Sequence, residues 1–295
     1  MKAMILAAGF GTRLAPHSLV LPKPLFPILN RPLLAITIEQ LRQAGVDEII
    51  VNAHHLAGQI QAALSGLAGV TVLQEDAILG TGGGLRNALP ILGRQPVLVV
   101  NADIAHTLDL SSLAARHLAS GAAVSMVLQD QDRFRVVAVD EADRVLAFGP
   151  AAEGARRLAY TGVQFLWPEI LDAMPAGVHA ELIPWYQAAI ARGVPIQGLV
   201  AAGHFWTDIG TPVDYLDLHA RLLTGRLSAP HLPRPGGSPH LGPGCQLASG
   251  VTVADWACLG AGVTVGAGAS LARVVVWAGV AIAAGAQLAD AIVSG

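Results

Sequence analysis

A glycine-rich segment near the start of the sequence has the composition of a phosphate-binding loop. Residues 7–14 have the sequence AAGFGTRL and follow a short apolar run that predicts a first strand at Ala3–Leu6. Gly9 and Gly11 allow backbone N–H groups to approach phosphate oxygens, and Arg13 adds a fixed positive charge. The third glycine of a dinucleotide fingerprint and the Lys-Ser/Thr pair of a P-loop are missing. Taken alone, the segment fits a plain tight turn equally well.

A lysine between prolines follows this loop. Residues 22–27 have the sequence PKPLFP. Because proline fixes φ, we expect a stiff extended stretch that holds the Lys23 ammonium at a defined distance from the loop. The loop and the lysine together are a far more specific signal for phosphate chemistry than the loop alone.

The two segments resemble the signature of the sugar-1-phosphate nucleotidyltransferases, G-x-G-[ST]-R-[LM]-x-P followed by P-K-P. Three further matches follow in order, LGTGGG at 79–84, VNAD at 100–103 and WTDIGTP at 206–212, and the resemblance covers about residues 1 to 224. It implies a reaction in which a sugar 1-phosphate attacks the α-phosphorus of a nucleoside triphosphate and releases pyrophosphate. Two departures from the family are Ala102 in place of glycine and Phe148-Gly149-Pro150 in place of an acidic E-K-P, which leaves the sugar open.

The resemblance implies catalytic roles for Arg13, Lys23 and Asp103. Arg13 would hold the triphosphate as pyrophosphate leaves, and Lys23 would bridge the α-phosphate and the sugar phosphate. Asp103 and Asp208 would hold the expected cofactor, Mg²⁺, on the phosphates. We expect Thr211 to cap the following helix, which leaves Asp208 for the metal. Since the nucleophile is already an anion, catalysis requires positioning and charge neutralisation rather than a strong base.

The resemblance also implies two sets of binding residues. Gln74 would read the base edge, with Glu75 beside it, and Glu181 would be structural or face the sugar. The run at 80–85 with ALP at 88–90 looks most like the N-acetylmuramate-1-phosphate uridylyltransferases and related guanylyltransferases, which favours UTP or GTP. The expected nucleotide contacts are Leu6, Ala7, Ala8, Gly9, Gly11, Thr12, Arg13, Gln74 and Gly80, and the expected sugar-phosphate contacts are Lys23, Thr161, Gly162 and Glu181.

Alternating strands and helices are predicted to position these residues. The pattern over residues 1–224 indicates an α/β fold with a Rossmann-like doubly wound mixed sheet, and the resemblance implies the nucleotide-diphospho-sugar transferase type. From Ala122 onward the pattern indicates an antiparallel insertion. The predicted strands are Ala3–Leu6, Glu48–Asn52, Val70–Gln74, Val97–Val100, Ala123–Leu128, Val136–Val139, Val145–Phe148, Gly162–Leu166 and Ile196–Ala201. The predicted helices are Leu33–Ala44, Gly58–Leu64, Gly82–Leu89, Glu181–Arg192 and Val213–Leu223.

The last third of the sequence has a different pattern. Residues 225–240 contain four prolines and a Gly-Gly pair, which predicts a linker between a catalytic domain at 1–224 and a further domain at 241–295. That further domain repeats with a period of six residues, which predicts a short left-handed parallel β-helix whose bulky apolar residues point inward. The residues in phase are Leu241, Leu247, Val253, Leu259, Val265, Leu271 and Trp277, followed by Ala283 and Ala289.

Composition limits the partners and the compartment. The 295 residues carry a net charge of −3, without the basic excess that a nucleic-acid binder needs. Cys245 and Cys258 provide neither a disulfide framework nor a zinc set, which favours the cytoplasm. The longest apolar stretch is too short to span a membrane. We therefore expect a nucleoside triphosphate and a sugar 1-phosphate as partners, no nucleic acid, no membrane, and a homo-oligomer joined through the β-helix.

Two other functions compete with this interpretation. Hexapeptide β-helices often belong to acyltransferases, but no histidine follows His240 to act as a general base, and three coils are few. A non-catalytic regulatory or assembly protein of the same fold is the second alternative. Such a chain would be expected to lose the loop arginine, the lysine or a metal aspartate, whereas all four are present.

Overall fold

The computed structural model describes residues 1–149 and 155–295, so Pro150 of the Phe148-Gly149-Pro150 segment lies outside the described residues. The described chain divides into two compact units. The first contains Met1–Phe10 and Thr37–Trp206, and the second contains Gly11–Ile36 and Thr207–Gly295. The domain boundaries predicted after residues 224 and 240 stay predictions.

Twenty strands and seven α-helices follow one another along the described residues. The strands are β1 (Lys2–Leu6), β2 (Pro27–Ile28), β3 (Arg31–Pro32), β4 (Ile49–Ala53), β5 (Val70–Gln74), β6 (Val97–Asn101), β7 (Ile104–His106), β8 (Val124–Gln129), β9 (Arg135–Val139), β10 (Val145–Phe148), β11 (Arg156–Leu166), β12 (Ile196–Val200), β13 (Trp206–Asp208), β14 (His240–Leu241), β15 (Gln246–Leu247), β16 (Thr252–Leu259), β17 (Thr264–Val265), β18 (Ser270–Val276), β19 (Ala281–Ile282) and β20 (Gln287–Val293). The helices are α1 (His17–Val20), α2 (Leu33–Gln43), α3 (Ala57–Leu64), α4 (Gly80–Leu92), α5 (Leu110–Ser120), α6 (Leu182–Ala191) and α7 (Pro212–Leu223). Short 3₁₀ helices lie at Thr12–Leu14, Lys23–Leu25 and Pro168–Leu171.

A nine-stranded mixed sheet forms the centre of the first unit. Its order is β10-β9-β11-β6-β1-β4-β5, and β8 pairs with both β11 and β12. Strands β4, β1 and β6 run parallel, whereas β11 is antiparallel to β6, β8 and β9. Every residue of β4 is buried, as expected for a parallel strand covered on both faces. The predicted mixed α/β sheet is confirmed, and so is the antiparallel pairing of β9 with β10.

Helix α5 is absent from the predicted elements. Asp109 caps its start by accepting a 3.0 Å hydrogen bond from the Ser112 N–H, and Gly121 follows its end in the left-handed conformation. Its buried residues, Leu110, Leu113 and His117, follow the helical spacing of three and four. The residues that begin and end this helix were therefore visible in the sequence. Its apolar residues are confined to the inward face, so the helix stands out less clearly as part of the core.

Two parallel sheets make up the C-terminal part of the second unit, in the orders β14-β16-β18-β20 and β15-β17-β19. The aligned residues recur at the predicted spacing up to Leu271, so that Leu247 pairs with Val265 and Val253 pairs with Leu271. Residues 224–239, which cover all of the predicted linker except its last residue, contain no helix or strand, and His240 begins β14. No helix among the described residues is long and apolar enough to cross a membrane.

The predicted phase of the six-residue repeat is wrong after Leu271. Val276, not Trp277, aligns with Leu259 and belongs to the apolar cluster between the strands. Ala283 and Ala289 are exposed, and the residues before them, Ile282 and Leu288, take the inward positions. The physical reason is that Val276 is five positions after Leu271, whereas their partners Val253 and Leu259 are six positions apart, so every later inward position moves by one.

Candidate active site

The glycine-rich loop begins where β1 ends. The Ala7 N–H donates a 2.8 Å hydrogen bond to Oδ1 of Asn52, which fixes the first residue of the loop. Gly9, Thr12 and Arg13 are exposed beyond it, whereas Leu14 is fully buried. Gly11 has φ of 64°, in the left-handed region that favours glycine. The loop is thus held at both ends, with its middle open to solvent.

Lys23 packs directly against this loop. A Cβ atom at Gly11 would lie 3.3 Å from the Cβ of Lys23 and 3.3 Å from the Cβ of Ser18, so glycine permits the close approach. Lys23 is only 7% exposed. The expected extended stretch is instead a 3₁₀ helix at Lys23–Leu25. Proline allows this because its fixed φ near −65° suits a 3₁₀ turn as well as an extended chain.

Arg13 and Asp208 form an ion pair within the second unit. An Nη2 atom of Arg13 lies 3.8 Å from Oδ2 of Asp208, and the arginine side chain is 60% exposed against 13% for the aspartate. A Cβ atom at Gly210 would overlap Oδ2 of Asp208 and lie 3.0 Å from the guanidinium, so a side chain there would displace the ends of the pair. Thr211 caps α7 as expected, since its hydroxyl accepts a 3.2 Å hydrogen bond from the Asp214 N–H. The exposed guanidinium keeps N–H donors toward solvent.

Asp103 lies in the turn between β6 and β7, at the carboxyl end of β6. Since β6 is parallel to β1 and Leu6 pairs with Asn101, Asp103 and the start of the glycine-rich loop are at the same edge of the sheet. Open α/β sheets bind ligands at this edge. Ala102 donates its N–H to the Leu6 carbonyl at 3.1 Å and is not among the described residues with positive φ, so alanine is tolerated where the family has glycine.

The carboxylates of Asp103 and Asp208 are of a kind that suits a metal ion shared with a substrate. Among the residues that the structure describes, no group of three or more His, Cys, Asp or Glu side chains could hold a metal ion. Mg²⁺ is usually bound by one or two carboxylates together with substrate phosphates, so a full protein cage is not required. Asp103 and Asp208 have the oxygen donors that this ion prefers.

Sequence reasoning missed a buried polar network in the first unit. The Asn52 amide donates a 2.7 Å hydrogen bond to Oε1 of Glu75, and Oε2 of Glu75 accepts from the Leu79 N–H at 3.2 Å. Asn52 also accepts from Ala7, so the network connects the glycine-rich loop to the segment before Gly80. Glu75 is only 3% exposed and occupied by these contacts, whereas Gln74 is exposed. In the sequence, the indication of this network was Asn52, an asparagine in the otherwise apolar strand β4.

The glycines at 80–84 pack against the protein itself. Gly80 has φ of 70°, and a Cβ atom there would lie 2.7 Å from the Ala180 carbonyl oxygen. A Cβ atom at Gly83 would lie 2.5 Å from the carbonyl oxygen of Val178. The N–H groups of Gly82 and Gly83 both donate to the Ala180 carbonyl, at 2.8 and 3.0 Å. We attribute these glycines to close packing at the start of α4, whereas the sequence favoured a ligand lying against their backbone over a glycine-rich helix start.

Three of the expected sugar-side residues, Glu181, Thr161 and Gly162, have structural contacts. Glu181 accepts a 2.7 Å hydrogen bond from the Thr81 hydroxyl, which ties the start of α6 to α4. Thr161 is fully buried, and its hydroxyl donates to the Val127 carbonyl at 2.9 Å. Gly162, with φ of 79°, lies so close to Asn101 that a Cβ atom would be 2.8 Å from the asparagine Nδ2. Their roles toward the sugar stay predictions.

Known proteins match the chain in sequence and in fold. The chain is 30% identical over 291 residues to mannose-1-phosphate guanylyltransferase of Mycobacterium tuberculosis, covering 94% of this chain and 80% of that protein. It is 35% identical over 226 residues to N-acetylmuramate alpha-1-phosphate uridylyltransferase of Neisseria meningitidis serogroup B, covering 72% and 94%. A putative glucose-1-phosphate thymidylyltransferase from Bacillus anthracis shares the fold, with a TM-score of 0.66 and 21% identity over 75% of this chain and 94% of that one.

The family model for nucleotidyl transferases matches residues 2–225, which is more than half of the sequence. This range contains every residue to which the sequence analysis gave a role in binding or catalysis. It also agrees with the extent of the resemblance found in the motifs. The chain therefore belongs to the nucleotidyl transferase family, as one of the sugar-1-phosphate nucleotidyltransferases.

Proposed function

We propose that the protein condenses UTP or GTP with a sugar 1-phosphate to give a nucleotide sugar and pyrophosphate. An oxygen of the sugar phosphate forms a bond to the α-phosphorus, and the bond from that phosphorus to the oxygen that bridges it to the β-phosphorus breaks. The observation that carries the proposal is the packing of Lys23 against the loop of Gly11, two residues before Arg13. Two cationic groups and a glycine-rich backbone in one short segment are suited to a triphosphate.

Each cation has a distinct proposed role. Arg13 holds the triphosphate and neutralises charge on the departing pyrophosphate, because its exposed fork can bind two phosphate oxygens at once. Asp208 orients that guanidinium through the 3.8 Å contact. Lys23 bridges the α-phosphate and the incoming sugar phosphate, and its burial limits the positions that the ammonium can take. Charge neutralisation at fixed positions lowers the barrier without a general base.

Asp103 and Asp208 are the proposed ligands of a divalent metal, with Mg²⁺ as the expected ion. Bound to the phosphates, such an ion acts as a Lewis acid and template. The exposed Gln74, rather than the buried Glu75, is proposed to read the base, near the backbone of Gly80. We propose that Thr161 and Glu181 shape the sugar side by fixing the backbone around Gly162 and Thr81.

The first test is pyrophosphate release in the presence of Mg²⁺, measured for UTP, GTP, dTTP, ATP and CTP against muramate, glucose, mannose and heptose 1-phosphates. We expect release that requires both substrates, with UTP or GTP preferred. Release with none of the pairs, despite nucleotide binding, would support the non-catalytic alternative.

Two substitutions test the assigned residues. Lys23→Ala and Asp103→Asn should each lower kcat by about a hundredfold or more, since each removes charge stabilisation of the transition state. Matched controls are Lys2→Ala, the other lysine, and Asp109→Asn, in which asparagine still caps α5. Near-normal turnover of either test variant would refute its role.

We also propose that residues 241–295 form a short left-handed parallel β-helix beyond a linker at 225–240 and that this region joins two copies of the chain. The two parallel sheets support the β-helix, and the partly exposed last strand, β20, has an edge available for pairing. Sedimentation analysis at micromolar concentration tests the association. A strictly monomeric protein would refute it.

A further inference from the structure

Trp277 contacts the segment that carries the two proposed catalytic cations. Its ring is 4.8 Å from the ring of Phe26 at an interplanar angle of 72°, and 5.7 Å from the ring of His17 at 56°. Trp277 is only 6% exposed and Phe26 is fully buried. The contact with Phe26 is edge-to-face, and such contacts add specific geometry to apolar burial. Trp277, which does not take the inward position that the repeat predicted for it, is thus packed against the segment Gly11–Ile36, called here the loop segment.

Polar contacts attach the same C-terminal residues to the loop segment. Nδ1 of His17 and the hydroxyl of Ser294 form a 2.8 Å hydrogen bond. The amide of Asn30 donates to the Leu259 carbonyl at 2.9 Å, which fixes the far end of the segment to β16. The loop segment is therefore held at three places along its length, His17, Phe26 and Asn30.

Helix α7 completes this arrangement. The Trp277 indole N–H donates to the Tyr215 hydroxyl at 3.3 Å, and that hydroxyl donates to the carbonyl of Pro27. Nε2 of His219 accepts a 3.3 Å hydrogen bond from the Leu29 N–H. The loop segment is therefore held between α7 and the C-terminal strands, all within the second unit.

The contacts lie close to both cations along the chain. His17 is four residues after Arg13 and Phe26 is three residues after Lys23, and the Phe26 N–H donates to the Lys23 carbonyl at 3.0 Å. Inside the loop segment the longest helix before residue 33 has four residues and the strands have two each. Such short elements cannot fix their own position, because an isolated turn is marginal in water.

We infer that Trp277 is a positioning residue for nucleotidyl transfer, through which the C-terminal strands hold the loop segment with Arg13 and Lys23 in its productive place. This inference rests on the proposed function. Displacing a catalytic group by about 1 Å can cost on the order of a hundredfold in rate, so the contact matters beyond stability. Ser294 supports the same segment through His17.

Trp277→Ala and a matched tryptophan variant test the inference. Trp256 is also buried and belongs to β16, but its side chain has no ring contact or hydrogen bond in the described part of the chain, so Trp256→Ala is the control. The measurements are kcat, KM for the triphosphate, and amide hydrogen exchange over residues 17–26, on full-length protein shown to be folded by circular dichroism. We expect Trp277→Ala to lower kcat by roughly 10- to 100-fold, raise KM and speed exchange, and Trp277→Phe to recover most of the rate.

Several outcomes would overturn the inference. Equal losses of kcat in Trp277→Ala and Trp256→Ala would show a general stability effect, and unchanged kcat or exchange in Trp277→Ala would refute positioning. If Trp277→Ala does not fold, Ser294→Ala provides the test. We expect it to lower kcat by about three- to tenfold, because one hydrogen bond is lost, and an unchanged kcat would refute the inference. No turnover by the unmodified protein refutes the proposed function itself, whereas normal turnover with an insensitive Trp277 refutes only this inference.

Discussion

The buried network of Asn52 and Glu75 gives a prediction of stability that can be worked out from its contacts. Replacing Asn52 by leucine keeps the number and branching of the side-chain heavy atoms but removes both hydrogen bonds of the amide. The Ala7 N–H then loses its acceptor, at a cost of about 1–3 kcal/mol for a buried donor. The Glu75 carboxylate loses its 2.7 Å donor, which costs about 1.5–3 kcal/mol for a charged group. We therefore expect Asn52→Leu to lower the free energy of unfolding by roughly 2.5–6 kcal/mol, a large share of a typical 5–15 kcal/mol.

A double-mutant cycle separates the network from simple loss of packing. In Asn52→Leu/Glu75→Leu the stranded carboxylate is gone, so the double variant should be less destabilised than the sum of the single variants by about 1–3 kcal/mol. Urea unfolding at pH 7, followed by circular dichroism, gives the four free energies. Additivity within about 0.5 kcal/mol, or a cost of Asn52→Leu below about 1 kcal/mol, would refute the assigned role of the network.

Three further predictions concern close contacts and pH. Gly84→Ala should destabilise the protein by about 1–3 kcal/mol in urea unfolding, since its Cβ atom would lie 2.8 Å from the amide of Asn52; an unchanged midpoint would contradict the contact. Gly210→Ala should displace Asp208 and lower kcat. The loss of kcat, expressed as activation free energy, should be at least as large as the loss of unfolding free energy, which kinetics and thermal melts together check. Burial lowers the pKa of His219 to about 4, below the ordinary 6.5, so the unfolded chain binds more protons and stability should fall as the pH drops from about 6.5 to about 4. A His219→Leu variant should show a shallower pH dependence of unfolding, and equal slopes would contradict this origin.

Much of the fold follows from local pattern. The bounds of β5 and β10 agree with the predicted strands at both ends, because turn residues flank short runs of β-branched and apolar residues. Strand β11 was predicted from Gly162 but begins at Arg156. Its first half includes two exposed arginines and pairs with β9, so its strand conformation depends on a partner rather than on an apolar pattern.

The candidate site was predictable as a set of residue types but not as a set of contacts. Motif spacing identified Arg13, Lys23 and Asp208, and the ion pair between Arg13 and Asp208 needed the fold, because nearly two hundred residues separate its members. The glycines before α4 illustrate a different limit. Sequence indicates that a side chain is excluded there, but whether a ligand or the protein's own carbonyl groups exclude it is visible only in the structure.

Trp277 shows how a period predicted from the sequence can assign a residue to the wrong side of a strand. A repeat of six predicts which residues face inward only while every side of the repeat has equal length, and the step of five from Leu271 to Val276 breaks that condition. Side-chain size was the remaining signal: the cluster between the parallel strands consists of aliphatic residues and alanines such as Val265 and Ala269, where a tryptophan would overfill the space. An aromatic residue in phase with an aliphatic repeat should therefore be tested first as an outward contact, and here that contact reaches Phe26, three residues from Lys23.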